Sequence, residues 1–263
     1  AETREDIAIA TGFVHAQERF FQMDLLRRNS AGELSSLFGL RALALDKSIR
    51  IHRFRDRARL RLKQLPEKQR KLIKAYTRGV NQGLNHLKSA PFEYLFLQQD
   101  PVEWQEEDSI LTVFSMYIDL HYSKGQRERS LGVLKSIVSN EAFDFLNPKG
   151  SIWDAAIDET TFSPTILPNN NWLTNANTVT KANTSKFKQS GDTSKNRYND
   201  TQFPGSNNWA VAGSISKTGS AIVANDMHLG IRVPNTWFRA SFEYSSNNSP
   251  VKVTGLSLPG TPN

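Results

Sequence analysis

The chain contains no cysteine, which excludes disulfide bonds, thiolate catalysis and cysteine-ligated zinc. No apolar run approaches the ~20 residues that a membrane span requires, and no signal-peptide pattern is present. The Gly-x-Ser-x-Gly elbow of many serine hydrolases is missing. His15, His52, His86 and His121 are scattered through helical stretches without the i, i+4 pairing of a metal-binding helix face. They read as core or surface histidines. What remains is a globular mixture, 38% hydrophobic and 22% charged, long enough at 263 residues to bury one large core or two small ones.

The formal charge is +7, which raises nucleic acid or a membrane surface as a partner. The basic residues cluster at 50–63 and 68–74. There they alternate with apolar residues at helical spacing, the pattern of a solvated face on an amphipathic helix. Neither a nucleic-acid nor a membrane partner is expected.

Three parts follow one another. Residues 1–167 are helical in pattern, with a dense apolar helix over 5–28 and an amphipathic one in which Ile73, Tyr76, Val80, Leu84 and Leu87 recur at steps of three and four. Pro66 stands in a first-turn position of the latter. A helix resumes around Glu106–Leu120, and 139–167 look irregular. Residues 168–205 are rich in Asn, Thr, Ser, Lys and Gly and too poor in large apolar residues to order themselves, so they read as a linker. From Ser206 to 263 the period changes to two. Strands are expected around Trp209–Val211 and Ile222–Val223, then at 236–245 and 250–257 with a turn at Asn247-Asn248. Trp209 is expected in the core. The fold class is α+β.

The boundary at Pro204-Gly205-Ser206 has the form of an N-terminal nucleophile before it is cut loose. Ser206 can attack the carbonyl of Gly205, whose missing Cβ leaves the approach open, while Pro204 stiffens the entry. The α-amine so released has a reference pKa of about 7.7–8.0, near enough to neutrality to act as base for its own hydroxyl. An ordinary turn would also accommodate Gly-Ser-Asn.

Several further stretches bear on that choice: Gly12 to Gly39, Ala75 to Asn81, Trp104 ahead of Glu107-Asp108-Ser109, Asn225-Asp226-Met227-His228-Leu229 and Gly255-Leu256-Ser257-Leu258-Pro259-Gly260. In order and spacing they closely resemble the penicillin acylase family of N-terminal nucleophile hydrolases, which includes cephalosporin and acyl-homoserine-lactone acylases. The resemblance weakens only through about 135–202.

It implies an incomplete piece of an αββα sandwich from a self-processing precursor, with 168–205 as an excised spacer. It implies cleavage between Gly205 and Ser206, then amide hydrolysis through an acyl-enzyme on Ser206. His228 falls where cephalosporin- and homoserine-lactone-acylase-like members carry a histidine and penicillin G acylases a glutamine. Asn207 and Asn225 are candidate supporting groups. Met116, Tyr117, Leu120 and Tyr122 occupy the stretch that lines the acyl pocket in relatives, although a helix packed into a core would look the same. The chemistry needs no cofactor. Glu128 is a candidate ligand for the structural calcium that some members hold in the full-length protein. The oxyanion donors of the family lie beyond residue 263, so this chain alone is expected to be inactive until joined by the rest of its β chain. The expected substrate is a small acyl amide, and the expected compartment is periplasmic or extracellular. Two other classes fit the residues: a silent binding or scaffolding module of the same fold, and a serine hydrolase with a His/Asp dyad and no self-cleavage.

Overall fold

A computed structural model describes residues 1–121, 125–169, 172, 205–246 and 249–262. The chain divides into two compact units, Ala1–His121 with Pro204–Asn263, and Tyr122–Phe203. The expected α+β order is present, helices first and antiparallel strands after.

The first unit opens with α1 (Arg4–Ala31). Thr3 starts it through a reciprocal cap: its Oγ1 accepts from the Asp6 amide at 3.1 Å, while Asp6 Oδ2 accepts from the Thr3 amide at 2.9 Å. Gly32 ends it in the left-handed region at φ 68°, a conformation costly for residues with a Cβ. Short α2 (Ser35–Phe38), α3 (Leu40–Arg50) and α4 (Phe54–Gln64) follow, then α5 (Glu67–Asn85), α6 (Phe92–Leu97) and α7 (Glu106–His121). Pro66 and Pro91 each sit at the N-cap, where a missing N–H costs nothing.

Helices α1 and α5 form the main packing pair. The alternation read from Ile73, Tyr76, Val80 and Leu84 is the buried face of α5. The two backbones approach so closely that a Cβ at Gly12, Gly79 or Gly83 would strike the carbonyl of Tyr76, Ile9 or Phe13 respectively. Phe20, Met23, Tyr76, Val80, Tyr94 and Trp104 fill the core between them.

The helix over 5–28 is indeed buried around much of its circumference, but not by apolar residues alone. Asp24, Arg27 and Arg28 are buried with it. Asp24 Oδ1 accepts from Arg27 Nε at 2.7 Å and Arg28 Nε at 2.8 Å, and its Oδ2 accepts from Tyr94 at 2.6 Å. Arg27 reaches Asp108 on α7 at 2.6 Å, and Arg55 on α4 joins Asp108 at 3.1 Å and Glu33 at 2.7 Å. The basic run over 50–63 therefore has one member, Arg55, turned into the protein. Arg57, Arg61 and Lys63 are exposed, as the helical alternation implied.

Two hairpins complete this unit. Strands β1 (Gly205–Val211) and β2 (Ile222–His228) pair antiparallel, as do β3 (Phe238–Ser246) and β4 (Ser249–Ser257), each pair forming its own two-stranded sheet. Asn247-Asn248, the expected turn, lies outside the described residues. Trp209 departs from expectation: it is 53% exposed rather than in the core. Among the described residues β1 packs chiefly against β2, with no helix covering its face.

In the second unit, α8 (Gln126–Ile137) is followed by α9 (Asn140–Leu146). The latter corrects the irregular reading of 139–167 over its first residues. Ser139 caps it, its hydroxyl accepting from Ala142 N at 3.2 Å, which makes so short a helix legible only through its cap. Ala142 and Val138 are buried, and Phe145 packs edge-on to Trp172 at 5.8 Å. Most of the expected linker, 168–205, lies outside the described residues.

Candidate active site

Strand β1 begins at Gly205, so the Gly205–Ser206 peptide lies inside a ladder. Gly205 is directly opposite His228, Ser206 opposite Met227, Asn207 opposite Asp226 and Asn208 opposite Asn225. Side chains alternate along a strand, and directly opposed residues share a face. One face of the hairpin therefore carries Ser206, Asn208, Met227 and Asn225. The other carries Gly205, Asn207, Asp226 and His228. The His228–Asp226 contact agrees with this assignment, Nε2 to Oδ2 at 3.0 Å between residues two apart in one strand.

Candidate site residues are thus brought together, but on two sides. Asn225 lies diagonally across from Ser206 on the same face, whereas Asn207 belongs with His228. His228 and Asp226 are each about half exposed, at 50% and 54% of their side chains. Asp226 was not singled out from sequence. Its signal was the Asp-Met-His spacing on a strand, which puts a carboxylate and an imidazole side by side.

The stretch compared with an acyl pocket is the last turn and a half of α7. Met116 and Leu120 are half-buried. Tyr117 is exposed and stands at ring distances of 6.4 Å from Phe54 and 5.2 Å from His121. Tyr122 lies outside the described residues. Glu128 is exposed in the first turn of α8, in the second unit. Among the described residues, no group of three or more His, Asp or Glu converges as a cation site.

A second polar centre is buried in the first unit. His15 Nδ1 lies 2.8 Å from the Tyr76 hydroxyl and its Nε2 3.2 Å from Ser257 Oγ. Ser257 donates to the Phe238 carbonyl at 3.2 Å, and Tyr76 accepts from the Gly260 amide at 2.9 Å. These ends fix the protons between them. Ser257 Oγ, its hydrogen committed, accepts from His15 Nε2–H, and Nδ1 accepts from Tyr76. Every group is satisfied with a neutral imidazole. Burial, with the Arg19 charge adding to it, pulls His15 down to about 4, and burial raises Tyr76 despite the Gly260 bond. The arrangement is closed to solvent and ties β4 and the turn after it to α1 and α5. Phe238 of β3 packs edge-on against His15 at 4.9 Å.

These contacts join the stretches that stood out in sequence: His15 from the first, Tyr76 from the second, Ser257 and Gly260 from the last. Asn81 makes a further join, its side-chain amide bonding Trp104 O at 3.0 Å and Trp104 N at 2.8 Å. Asp108 caps the start of α7 through the Gln105 amide at 2.8 Å.

No helix among the described residues is long and apolar enough to cross a membrane. Against known proteins, the chain is 26% identical to the acyl-homoserine lactone acylase QuiP of Pseudomonas aeruginosa, over 99% of this chain and 29% of that protein. It is 26% identical to the penicillin acylase 2 proenzyme of a Pseudomonas species, over 100% of this chain and 32% of the relative. A shorter match, 29% identical over 30% of this chain, is to the penicillin G acylase of Escherichia coli. The chain thus spans about a third or less of the curated relatives it matches. The model of one family, described as penicillin amidase, matches residues 1–263 from end to end. With four of its five motif stretches meeting in one core and this match unbroken, the chain belongs to the penicillin amidase family.

Proposed function

We propose that this chain is the nucleophile-bearing part of a self-processing acylase, a hydrolase of linear amides with Ser206 as its N-terminal nucleophile. Ser206 Oγ attacks the Gly205 carbonyl carbon, the Gly205–Ser206 C–N bond breaks, and the acyl group moves to the hydroxyl as an ester. Water then cleaves the ester, leaving a carboxylate at Gly205 and an α-amine on Ser206. In turnover the same hydroxyl attacks the substrate amide and its amine relays the proton to the leaving nitrogen. An acyl-enzyme on Ser206 is hydrolysed by water.

The observation that carries this reading is the ladder register. The bond to be cut opens the first strand, directly after the 168–205 stretch and across from His228. Family membership supports the reaction class. The named relatives bear on the substrate: a β-lactam side-chain amide or an N-acyl-homoserine lactone is the proposed class. His228 serves the nucleophile, with Asn225 and Asn207 as supporting groups. Met116, Tyr117, Leu120 and Tyr122 contribute to the acyl pocket, and Glu128 to a structural calcium site in the whole protein. Export to the periplasm or beyond, and completion of the site by the rest of the β chain, belong to the same proposal, as does inactivity of this chain alone.

The test is an intact mass of the full-length protein beside Ser206→Ala. Wild type yielding a fragment that begins at Ser206, with an uncut variant, supports the proposal. A folded wild type that stays uncut overturns it in favour of a silent scaffolding module of the same family.

A further inference from the structure

The register has a consequence for His228 and its neighbour. In the uncut chain His228 shares a face with Gly205, and the Ser206 side chain is on the other. The imidazole is therefore on the wrong side to take a proton from Ser206 Oγ directly. Cleavage changes what lies opposite it. When Gly205 leaves the ladder, the position paired with His228 is vacated, and the new α-amine of Ser206 is the backbone atom that borders the gap. His228 is placed to meet the amine.

How it can do so depends on which ring nitrogen carries the proton. Asp226 Oδ2 is 3.0 Å from Nε2, and a carboxylate only accepts. It therefore holds the proton on Nε2 and leaves Nδ1 with its lone pair exposed. On this face the register brings Gly205, Asn207, Trp209 and Val211 from β1 beside Ile222, Ala224, Asp226 and His228 from β2. Asp226 is thus the charged side chain that these two strands set beside the imidazole.

We propose that Asp226 is a positioning residue: it fixes His228 as the Nε2–H tautomer, so that Nδ1 accepts an N–H of the Ser206 α-amine. The amine is thereby held with its own lone pair turned to the Ser206 hydroxyl, whose proton it takes as Oγ attacks. The proton then passes from the resulting ammonium to the leaving amine, and His228 and Asp226 end as they began. A hydrogen-bond acceptor beside the amine also favours its protonated form. This inference rests on Ser206 being the processed nucleophile.

The experiment uses the full-length protein, with its β chain also supplied already beginning at Ser206, so that a defect in processing cannot mask one in turnover. Asp226→Asn, Asp226→Glu and wild type are compared on an amide that the wild type hydrolyses. The expected result for Asp226→Asn is a fall in kcat of about tenfold or more, with KM unchanged and the acid limb of kcat/KM displaced to lower pH. Asp226→Glu restores much of the rate. Nitrogen-15 spectra of ring-labelled protein should show His228 as the Nε2–H tautomer in wild type and mixed in Asp226→Asn. An Asp226→Asn enzyme with wild-type kcat and acid limb overturns the proposal, as does an Nδ1–H tautomer in wild type. A wild type never cut at Ser206 is a different failure, that of the function itself.

Discussion

The helical core of the first unit and the β1–β2 hairpin obey different rules. In the core, Trp104 is fully buried, and its backbone is gripped at both N and O by Asn81. In the hairpin, Trp209 is half exposed, and the polar residues Ser206, Asn207 and Asn208 are exposed beside it. Buried ion pairs hold the helices together, whereas the His228–Asp226 hydrogen bond on the hairpin's Gly205 face is open to solvent. The region that fixes the fold has spent its polar groups on one another. In the region proposed to carry the chemistry, Ser206, Asn207, Asn225, Asp226 and His228 are instead exposed.

The widest break in that comparison comes from the two tryptophans and the two aspartates. Trp104→Ala should cost about 3–5 kcal/mol of unfolding free energy, the range for removing a fully buried aromatic. Trp209→Ala should stay within about 1 kcal/mol, because little of its surface leaves water in this chain. Asp24→Ala should be as damaging as the first, at about 3–5 kcal/mol, since it removes the carboxylate partner of buried Arg28 and the acceptor of the Tyr94 hydroxyl, and leaves Arg27 with Asp108 as its carboxylate. Asp226→Ala should change stability by no more than an exposed pair does, about 0–1 kcal/mol. Denaturant unfolding of the four variants checks all of these. Equal losses at Trp104 and Trp209 would mean that the hairpin is as well covered as the core.

A smaller but sharper distinction lies in pH. The unfolded chain protonates His15 around the ordinary imidazole value of 6.5, while the folded chain resists until about 4. Between those values the unfolded state holds more protons, so stability falls as pH falls through that window and levels off below it. The interval corresponds to about 3 kcal/mol. His15→Gln should flatten the slope between pH 6.5 and 4, although it lowers stability throughout by disturbing Tyr76 and Ser257. Unfolding midpoints measured across that range test this, and a slope that survives His15→Gln would place its origin elsewhere.

How much of this was legible beforehand follows the same division. Helix α5 could be read from Ile73 to Leu84 because one face of a 3.6-residue period meets one neighbour. The strands could be read from their change of period to two after Ser206. The buried ion lattice could not, because Asp24, Arg27 and Arg28 have the spacing of any solvated helix face; only the arrival of Asp108, 80 or more positions away, makes them interior. Trp209 misled for the opposite reason. Its residue type belongs in a core, but two strands paired only with each other bury one edge and cover neither face. Of the site, sequence offered Ser206, His228, Asn207 and Asn225 as a set without faces. The ladder register sorted them and added Asp226.

The smallest effect concerns the first turn of the molecule, where the core begins. Thr3 and Asp6 exchange hydrogen bonds across the start of α1, and the helix they start supplies residues to both the ion lattice and the His15 chain. Thr3→Ala should cost about 1 kcal/mol, the ordinary value of an N-cap. If α1 frays only at its cap, hydrogen exchange should quicken through the first turn alone, because Ile9, Gly12 and Phe13 are clamped against Gly79, Tyr76 and Gly83 in the turns that follow. Quickened exchange reaching His15 would instead show that the cap supports the polar chain as well as the helix end. The division between a self-sufficient core and an open hairpin would then have to be drawn further inside the molecule.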